Sequence, residues 1–323
     1  MKNITKACLG FGIFIFSHAS FPLPSAPSAK PVKLVVGFAA GGAIDTLART
    51  LASRLTHKLE RPVYVENRVG AGGSIAAAYV AQSSPDGNTI LLASPGEIFV
   101  NRIFYKHLNV DGLKNLVPVS KISTTPIVLA TNSQSNIKQV DDIFTEVKKR
   151  PLGLNFASSG TGSSQHLVGE IFKKQMGIDM AHIPYNGGSS AAASLLGNQV
   201  DLLFAGLSPI APFLKGNRLR VIAVTSEKRS PLIPDVPTLR ETGLGDFHLE
   251  YWQGIFLPRN TPGKMVSALS QELSEVLGDP QFSKFLQELG YTTAFKGCDE
   301  FRDFLTQEEK KYSLAEKTIQ LAQ

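Results

Sequence analysis

The chain is poor in sulfur and has almost no means of cross-linking itself. Its 323 residues include two cysteines, Cys8 and Cys298. Cys8 lies in an N-terminal apolar run, and no aliphatic-small-small pattern precedes it, which argues against a lipoprotein anchor. Cys298 is then left without a disulfide partner and reads as a half-buried structural thiol. Metal-ligand spacing is missing too, since His57, His107, His166, His182 and His248 are dispersed. No glycine loop ends in the Lys-Ser/Thr of a nucleotide-binding loop, and the glycine clusters lack full dinucleotide spacing. Gly72-Gly73-Ser74-Ile75-Ala76 approaches a nucleophile elbow but closes on Ala76, so it reads as a tight turn opening a helix. Charge does not cluster except at Lys148-Lys149-Arg150, a solvated helix end, and that excludes a nucleic-acid footprint. No nucleophile, base and orienter come together, which disfavours an exported hydrolase. These absences leave no cofactor, no metal and no enzyme activity to assign.

What is present is an ordinary globular composition, 43% hydrophobic, with a net charge of +6. Lys2 and Lys6 supply part of that charge and open a secretory signal. An apolar run over residues 7–16 follows, and Ser17-His18-Ala19 puts small residues where a signal peptidase reads. The run is too short to span a bilayer as a stable helix. Residues 1–19 are therefore expected to be a signal peptide and residues 20–31 a flexible mature N-terminus, although cleavage near Ala26 or Ala29 also fits. The expected destination is the periplasm.

Beyond residue 31 the pattern alternates strand and helix. Residues 33–38 form an apolar strand that breaks at Ala40-Gly41-Gly42, and a helix over 45–59 follows, with Leu47, Leu51 and Leu55 at four-residue spacing. A strand at 63–65, a helix at 74–82 and a strand at 89–93 complete a βαβαβ unit with parallel strands. A second unit holds strands near 154–157, Ile183 and 200–204, with helices at 163–176 and 189–196. Strands 127–130 and 221–225 are expected to carry the chain out and back, and helices near 264–277, 280–289 and 299–319 to return to the first unit. The expected division is residues 32–126 with 226–323 as lobe 1 and 127–225 as lobe 2, with a cleft between them.

One physical device recurs. Gly41-Gly42 and Gly160-Thr161-Gly162-Ser163-Ser164 each stand directly before a helix. Free N–H groups and the positive end of the helix dipole make such places anion sites. Both loops follow strands, where open α/β sheets bind ligands. Two facing loops, one per lobe, would clamp a small anion. Asp45 reads as a first-turn cap paired with Arg49 rather than as a catalytic acid.

The same residues carry a family resemblance. Phe38-Ala39-Ala40-Gly41-Gly42-Ala43-Ile44-Asp45, Pro62-Val63-Tyr64-Val65-Glu66-Asn67-Arg68 and Gly70-Ala71-Gly72-Gly73 resemble, in order, the Bug family. These are the substrate-binding proteins of tripartite tricarboxylate transporters. The likeness resumes at Asn155-Phe156-Ala157-Ser158, Gly162-Ser163-Ser164-Gln165-His166-Leu167, Ile183-Pro184-Tyr185 and Asp235-Val236-Pro237-Thr238. It implies an α/β, two-lobed periplasmic-binding-protein fold of the type II kind, each lobe a mostly parallel sheet flanked by helices. It also implies a monomer that holds a small organic acid and hands it to membrane transporter components or, as an alternative, presents it to a sensor kinase. The ligand set it implies is Phe38, Gly41, Gly42, Ile44, Asp45, Ser94, Ser158, Gly162, Ser163, Ser164, His166 and Ala205, with His166 either donating to the ligand or packing inside its helix. Ala39 and Ala40 stand where the family pattern carries prolines, Ile44 where it carries a hydroxyl residue, Pro95 a polar one, Asn186 a basic one and Ala205-Gly206, in some members, Asp or Asn. Together these imply a less polar pocket and argue against citrate-like ligands.

Overall fold

The computed structural model describes residues 30–105, 111–151, 153–244 and 249–320. The segment expected to be a signal peptide, His107 and His248 lie outside them.

The chain forms two mixed sheets with helices on their faces. Strands β1 (Val32–Val36), β2 (Val63–Asn67) and β3 (Thr89–Ala93) alternate with helices α1 (Ala43–Lys58) and α2 (Ser74–Ala81). A π-helical turn at Gly96–Val100 and two short helices, α3 (Asn101–Phe104) and α4 (Gly112–Asn115), lead to β4 (Leu116–Thr125). The second sheet is built from β5 (Ile127–Asn132), α5 (Val140–Lys149), β6 (Leu154–Ser158), α6 (Ser164–Met176), β7 (Met180–Pro184), α7 (Gly188–Leu196), β8 (Leu202–Gly206), α8 (Ala211–Leu214) and β9 (Leu219–Val224). The chain then returns through β10 (Tyr251–Pro258), α9 (Gly263–Gly278), α10 (Pro280–Glu288), β11 (Thr292–Lys296) and α11 (Cys298–Gln320).

The strand orders are β11-β4-β10-β3-β1-β2 and β7-β6-β8-β5-β9. Parallel pairing is confined to the βαβ parts, where β1 pairs with β2 and β3, and β6 with β7 and β8. The rest is antiparallel, because β5, β9, β10 and β11 run against their neighbours. The sheets are therefore less parallel than the βαβ pattern alone implies, and a chain that crosses between lobes and returns accounts for the reversed strands. Strands β5 and β9, expected to bridge the lobes, both belong to the second sheet. The crossing itself is compressed into Pro126, between β4 and β5. Thr225 N–H donates to the Ile127 carbonyl at 2.9 Å, so the return path leaves beside the outward one.

Side-chain alternation places the cores. Leu34 and Val36 of β1, Ile90 and Leu92 of β3, and Ile255 and Leu257 of β10 face one way, against Leu47, Leu51 and Leu55 of α1 and Leu273 of α9. Val35, Leu91 and Phe256 face the other way, into a cluster that runs through Trp252, Phe301 and Tyr312 to Phe156 and Phe204 of the second sheet. The far face of that sheet packs Leu203 and Ala205 on Ala191, Ala192 and Leu195 of α7. The carboxyl ends of β1 and β7 thus open toward one interlobe cleft. Cys298 is half-buried beside Val266 and is free.

Candidate functional site

The loop after β1 forms the first wall of the cleft. Gly41 adopts φ +75°, which a residue with a side chain rarely takes. Gly42 then caps α1 in an extended conformation with no side-chain capping bond, so the first N–H groups of α1 have no side-chain partner. Asp45 braces this loop from behind. Its carboxylate accepts from Gly41 N–H and Arg49 Nε–H, each at 2.8 Å, and from Asn67 Nδ2–H at 2.8 Å. Asn67 also donates to the Phe38 carbonyl at 3.0 Å. Burial would raise the Asp45 carboxyl, but the bonds from Arg49, Gly41 and Asn67 outweigh it and hold the group below the usual range. Asp45 is fully engaged and does not line the cleft.

The opposite wall comes from the second lobe. After β7 the chain passes Tyr185 and Asn186 to Gly187, which has φ +132° and caps α7, again with no side-chain capping bond. Ser190 Oγ turns back to the Gly187 carbonyl at 2.9 Å. The two helix starts face each other across a cavity of about 160 Å³. Phe38, Gly41, Gly42 and Ile44 line one side, and Asn186, Gly187, Gly188, Ser189 and Ser190 the other. Thr125, Ser159, Gln165, Ser208, Pro209, Tyr251 and Tyr291 are among the residues that complete the wall. Burial pushes the Tyr251 phenol up to about 12 and raises Tyr291 further, so both hydroxyls stay neutral. The lining contains no Asp, Glu, Lys, Arg or His. Positive potential in the cleft comes from N–H groups and two helix dipoles, not from cationic side chains.

The other residues expected to touch ligand are not among those lining this cavity. Ser163 caps α6, its hydroxyl accepting from His166 N–H at 3.2 Å. Gly162, at φ +79°, donates its N–H to His166 Nδ1 at 3.3 Å. His166 is packed inside the protein, 6% exposed. Its ring lies 3.9 Å from that of His182 and 4.1 Å from that of Phe104. Burial, with the fields of His182 and Lys173, lowers its pKa to about 3. Ser158 Oγ bonds His182 Nε2 at 2.6 Å, Ser94 Oγ donates to Glu97 at 2.6 Å, and Ser164 is buried beside Tyr312. Ala205 sits in the core under α7, and its neighbour Gly206 reaches the cavity.

Gly160-Thr161-Gly162 does not face Gly41-Gly42. It meets Gly70–Gly73 of the first lobe, where a Cβ added to Gly72 would lie 2.7 Å from the Thr161 carbonyl oxygen. Tyr105 Oη also donates to that oxygen, at 3.2 Å. This contact borders a second cavity of about 220 Å³, which shares Phe38, Ser159 and Asn186 with the first. The partner of Gly41-Gly42 is Gly187-Gly188-Ser189-Ser190. That segment carries the same signal, paired glycines and serines before a helix, and sequence reasoning passed over it. Among the described residues no group of three or more His, Cys, Asp or Glu could hold a metal ion, and no helix is long and apolar enough to cross a membrane.

A two-lobed α/β protein with a neutral, dipole-lined cleft between its lobes is a solute-binding protein in architecture, and comparison with known proteins agrees. Residues 47–320 match the profile of the tripartite tricarboxylate transporter family receptor. Protein BugT of Bordetella pertussis is 32% identical over 314 residues, 96% of each chain. Rpa4515 of R. palustris, solved with adipate, superposes with a TM-score of 0.85 at 30% identity, covering 90% of this chain and 97% of that one. The periplasmic binding protein BugD superposes with a TM-score of 0.83 at 31% identity, covering 89% and 97%. The chain belongs to the tripartite tricarboxylate transporter receptor family, the Bug proteins among them.

Proposed function

We propose that the protein is a periplasmic receptor that captures a small carboxylate in the interlobe cleft, leaves it chemically unchanged, and delivers it to the membrane components of a tripartite tricarboxylate-type transporter. The observation that carries this reading is the pair of opposed helix starts, α1 and α7, whose first N–H groups lack side-chain caps on either side of a cavity without charged residues. Each start suits one carboxylate group, and a dicarboxylate would bridge the lobes. Phe38, Ile44 and Pro209 suit an apolar linker between the two ends better than a heavily hydroxylated one. The adipate held by the related R. palustris protein has that shape. Residues 32–126 with 226–323 form one lobe and 127–225 the other in this reading, hinged where Pro126 and Thr225 lie side by side, and closure would follow ligand entry. Export would depend on residues 1–19.

Thermal-shift screening of the mature chain with C4–C6 mono- and dicarboxylates, amines and sugars tests the reading, because a ligand that binds only the folded state raises the melting temperature. Linear dicarboxylates are expected to give the largest shifts. A response to amines or sugars with none to any carboxylate would overturn it.

A further inference from the structure

Behind the cleft lies a carboxyl group that ligand capture, as described, does not use. Glu97 sits in the π-helical turn Gly96–Val100 with only 3% of its surface exposed. Its Oε2 accepts from Ser94 N–H at 3.0 Å and from Ser94 Oγ–H at 2.6 Å, while Oε1 has no partner. Glycines make room for it. A Cβ added to Gly73 would lie 2.6 Å from Glu97 Cγ, and one added to Gly37 would lie 3.2 Å from Oε1. The Tyr251 hydroxyl lies within hydrogen-bonding reach of Ser94 and of Gln165. Tyr251 and Gln165 both line the cleft, and Gln165 Oε1 is buried without a partner. Glu97, Ser94 and Tyr251 thus form a chain from a buried acid to the ligand cavity.

Each hydroxyl in that chain has one proton, so the acid sets the direction of the whole chain. When Glu97 is ionised, Ser94 donates to it, Tyr251 donates to Ser94, and a phenol lone pair faces the cleft. When Glu97 is protonated, it donates to Ser94, Ser94 donates to Tyr251, and the phenol proton is free for an entering carboxylate. Ionised Glu97 also adds a negative charge behind an anion site. Both effects have the same sign.

We propose that Glu97 is a proton-linked positioning residue: a carboxylate entering the cleft is bound with uptake of one proton from solvent onto Glu97, which turns the Ser94 and Tyr251 hydroxyls toward the ligand. This rests on the cleft being the carboxylate site. Burial raises the Glu97 pKa to about 7, with the Ser94 bonds opposing, which puts the switch in the neutral range. The groups packed on Glu97 from other elements are Gly37 after β1, Gly73 before α2 and Tyr251 of β10. Of these only Tyr251 titrates, and burial together with the Glu97 charge pushes it up to about 12. His166 and His182, lowered to about 3 and about 4, stay neutral through the same window.

Calorimetry of adipate binding at pH 6 to 8.5, in buffers of different ionisation enthalpy, provides the test. Linkage requires that affinity fall as pH rises through 7, approaching tenfold per pH unit, with close to one proton taken up per adipate on the alkaline side. Glu97→Gln reproduces the protonated arrangement and is expected to hold the pH 6 affinity at pH 8 with no proton uptake. Without ligand, the same variant should melt higher than wild type at pH 8 and alike at pH 4.5. Adipate binding that is pH-independent in the wild type overturns this inference and leaves the cleft reading intact. No binding of adipate, or of any C4–C6 carboxylate in the thermal-shift panel, to either form overturns both. Equal melting of variant and wild type at pH 8 shows that the buried group carries no raised pKa, and overturns the inference by itself.

Discussion

His166 and His182 stack with ring centroids 3.9 Å apart and planes 14° from parallel. One ring belongs to α6 and the other to β7, and Phe104, at the end of α3 between β3 and β4 of the first sheet, packs on His166. Gly162 N–H donates to His166 Nδ1, which assigns the ring proton to Nε2. The pair is an apolar spacer held neutral by its surroundings. Burial foremost, then neighbouring positive charge, lowers His166 to about 3 and His182 to about 4.

The sign of the resulting pH dependence follows directly. The unfolded chain protonates these rings near 6.5, but the folded chain resists until about 4 and below. The stability due to neutral rings is complete above pH 6.5 and is lost as pH falls toward 3. Each ring contributes a slope of up to about 1.4 kcal/mol per pH unit in that window. His182→Gln keeps a partner for Ser158 and removes one titrating ring. Denaturant melts between pH 4 and 7 are expected to show a shallower acid slope for the variant. An unchanged slope would mean that His182 is already protonated in the folded chain.

Ser163→Ala separates capping from ligand binding. The Ser163 hydroxyl accepts from His166 N–H and is buried, so its removal uncaps α6. The cost is expected to be about 1 kcal/mol of stability. Carboxylate affinity should stay within about twofold of wild type, because the hydroxyl does not reach the cavity. A tenfold loss of affinity with unchanged stability would restore Ser163 to the ligand set.

Periodicity and turn chemistry made the helices and the parallel strands legible. Leu47, Leu51 and Leu55 share one face of α1, and all three are buried as their spacing requires. The antiparallel strands β4, β10 and β11 left weaker traces. In β10, Tyr-Trp-Gln-Gly-Ile-Phe-Leu-Pro is buried on both faces, so it shows no alternation to mark it as a strand. The site was half legible. Gly41-Gly42 was placed because the glycines stand at a strand-to-helix turn, and the same device at Gly187-Gly188 was overlooked beside the serine-rich loop at 158–164. Two of that loop's hydroxyls, Ser158 and Ser163, are engaged by His182 and by His166 N–H, while Ser159 lines the cavity, and no sequence pattern reveals which way a hydroxyl points. Ser94 shows the same limit, because its hydroxyl bonds Glu97, three residues on and buried.

Ile44 tests the polarity of the first wall. Its side chain lines the cleft and is 8% exposed. Ile44→Thr places a hydroxyl there and removes the terminal methyl, keeping the branch at Cβ. Hydroxylated dicarboxylates such as malate should gain about tenfold relative to adipate, the worth of one hydrogen bond to a polar ligand. Competition calorimetry on both proteins measures the ratio, and an unchanged ratio would mean that Ile44 does not face the bound ligand.

Ser189 gives the most direct test of the second wall. It lies in the first turn of α7, is exposed, and lines the cleft. Ser189→Asp puts a fixed carboxylate where an anionic ligand would meet the uncapped N–H groups. Helix energetics and ligand energetics then move in opposite directions. A negative charge in the first turn interacts favourably with the helix dipole, by roughly 0.3–1 kcal/mol. The same charge repels an incoming carboxylate and competes for its donors, and loss of one charge-assisted bond, about 1.5–3 kcal/mol, corresponds to a ten- to hundredfold loss of affinity. The variant should therefore melt at or slightly above the wild-type temperature while binding adipate at least tenfold more weakly. Added salt should narrow the affinity gap, since the repulsion is partly exposed to solvent. A destabilised variant would point to a distorted loop and leave the affinity loss without meaning for the site. Wild-type affinity in a stable Ser189→Asp protein would show that the ligand does not use the α7 helix start, and that the two-walled clamp is wrong.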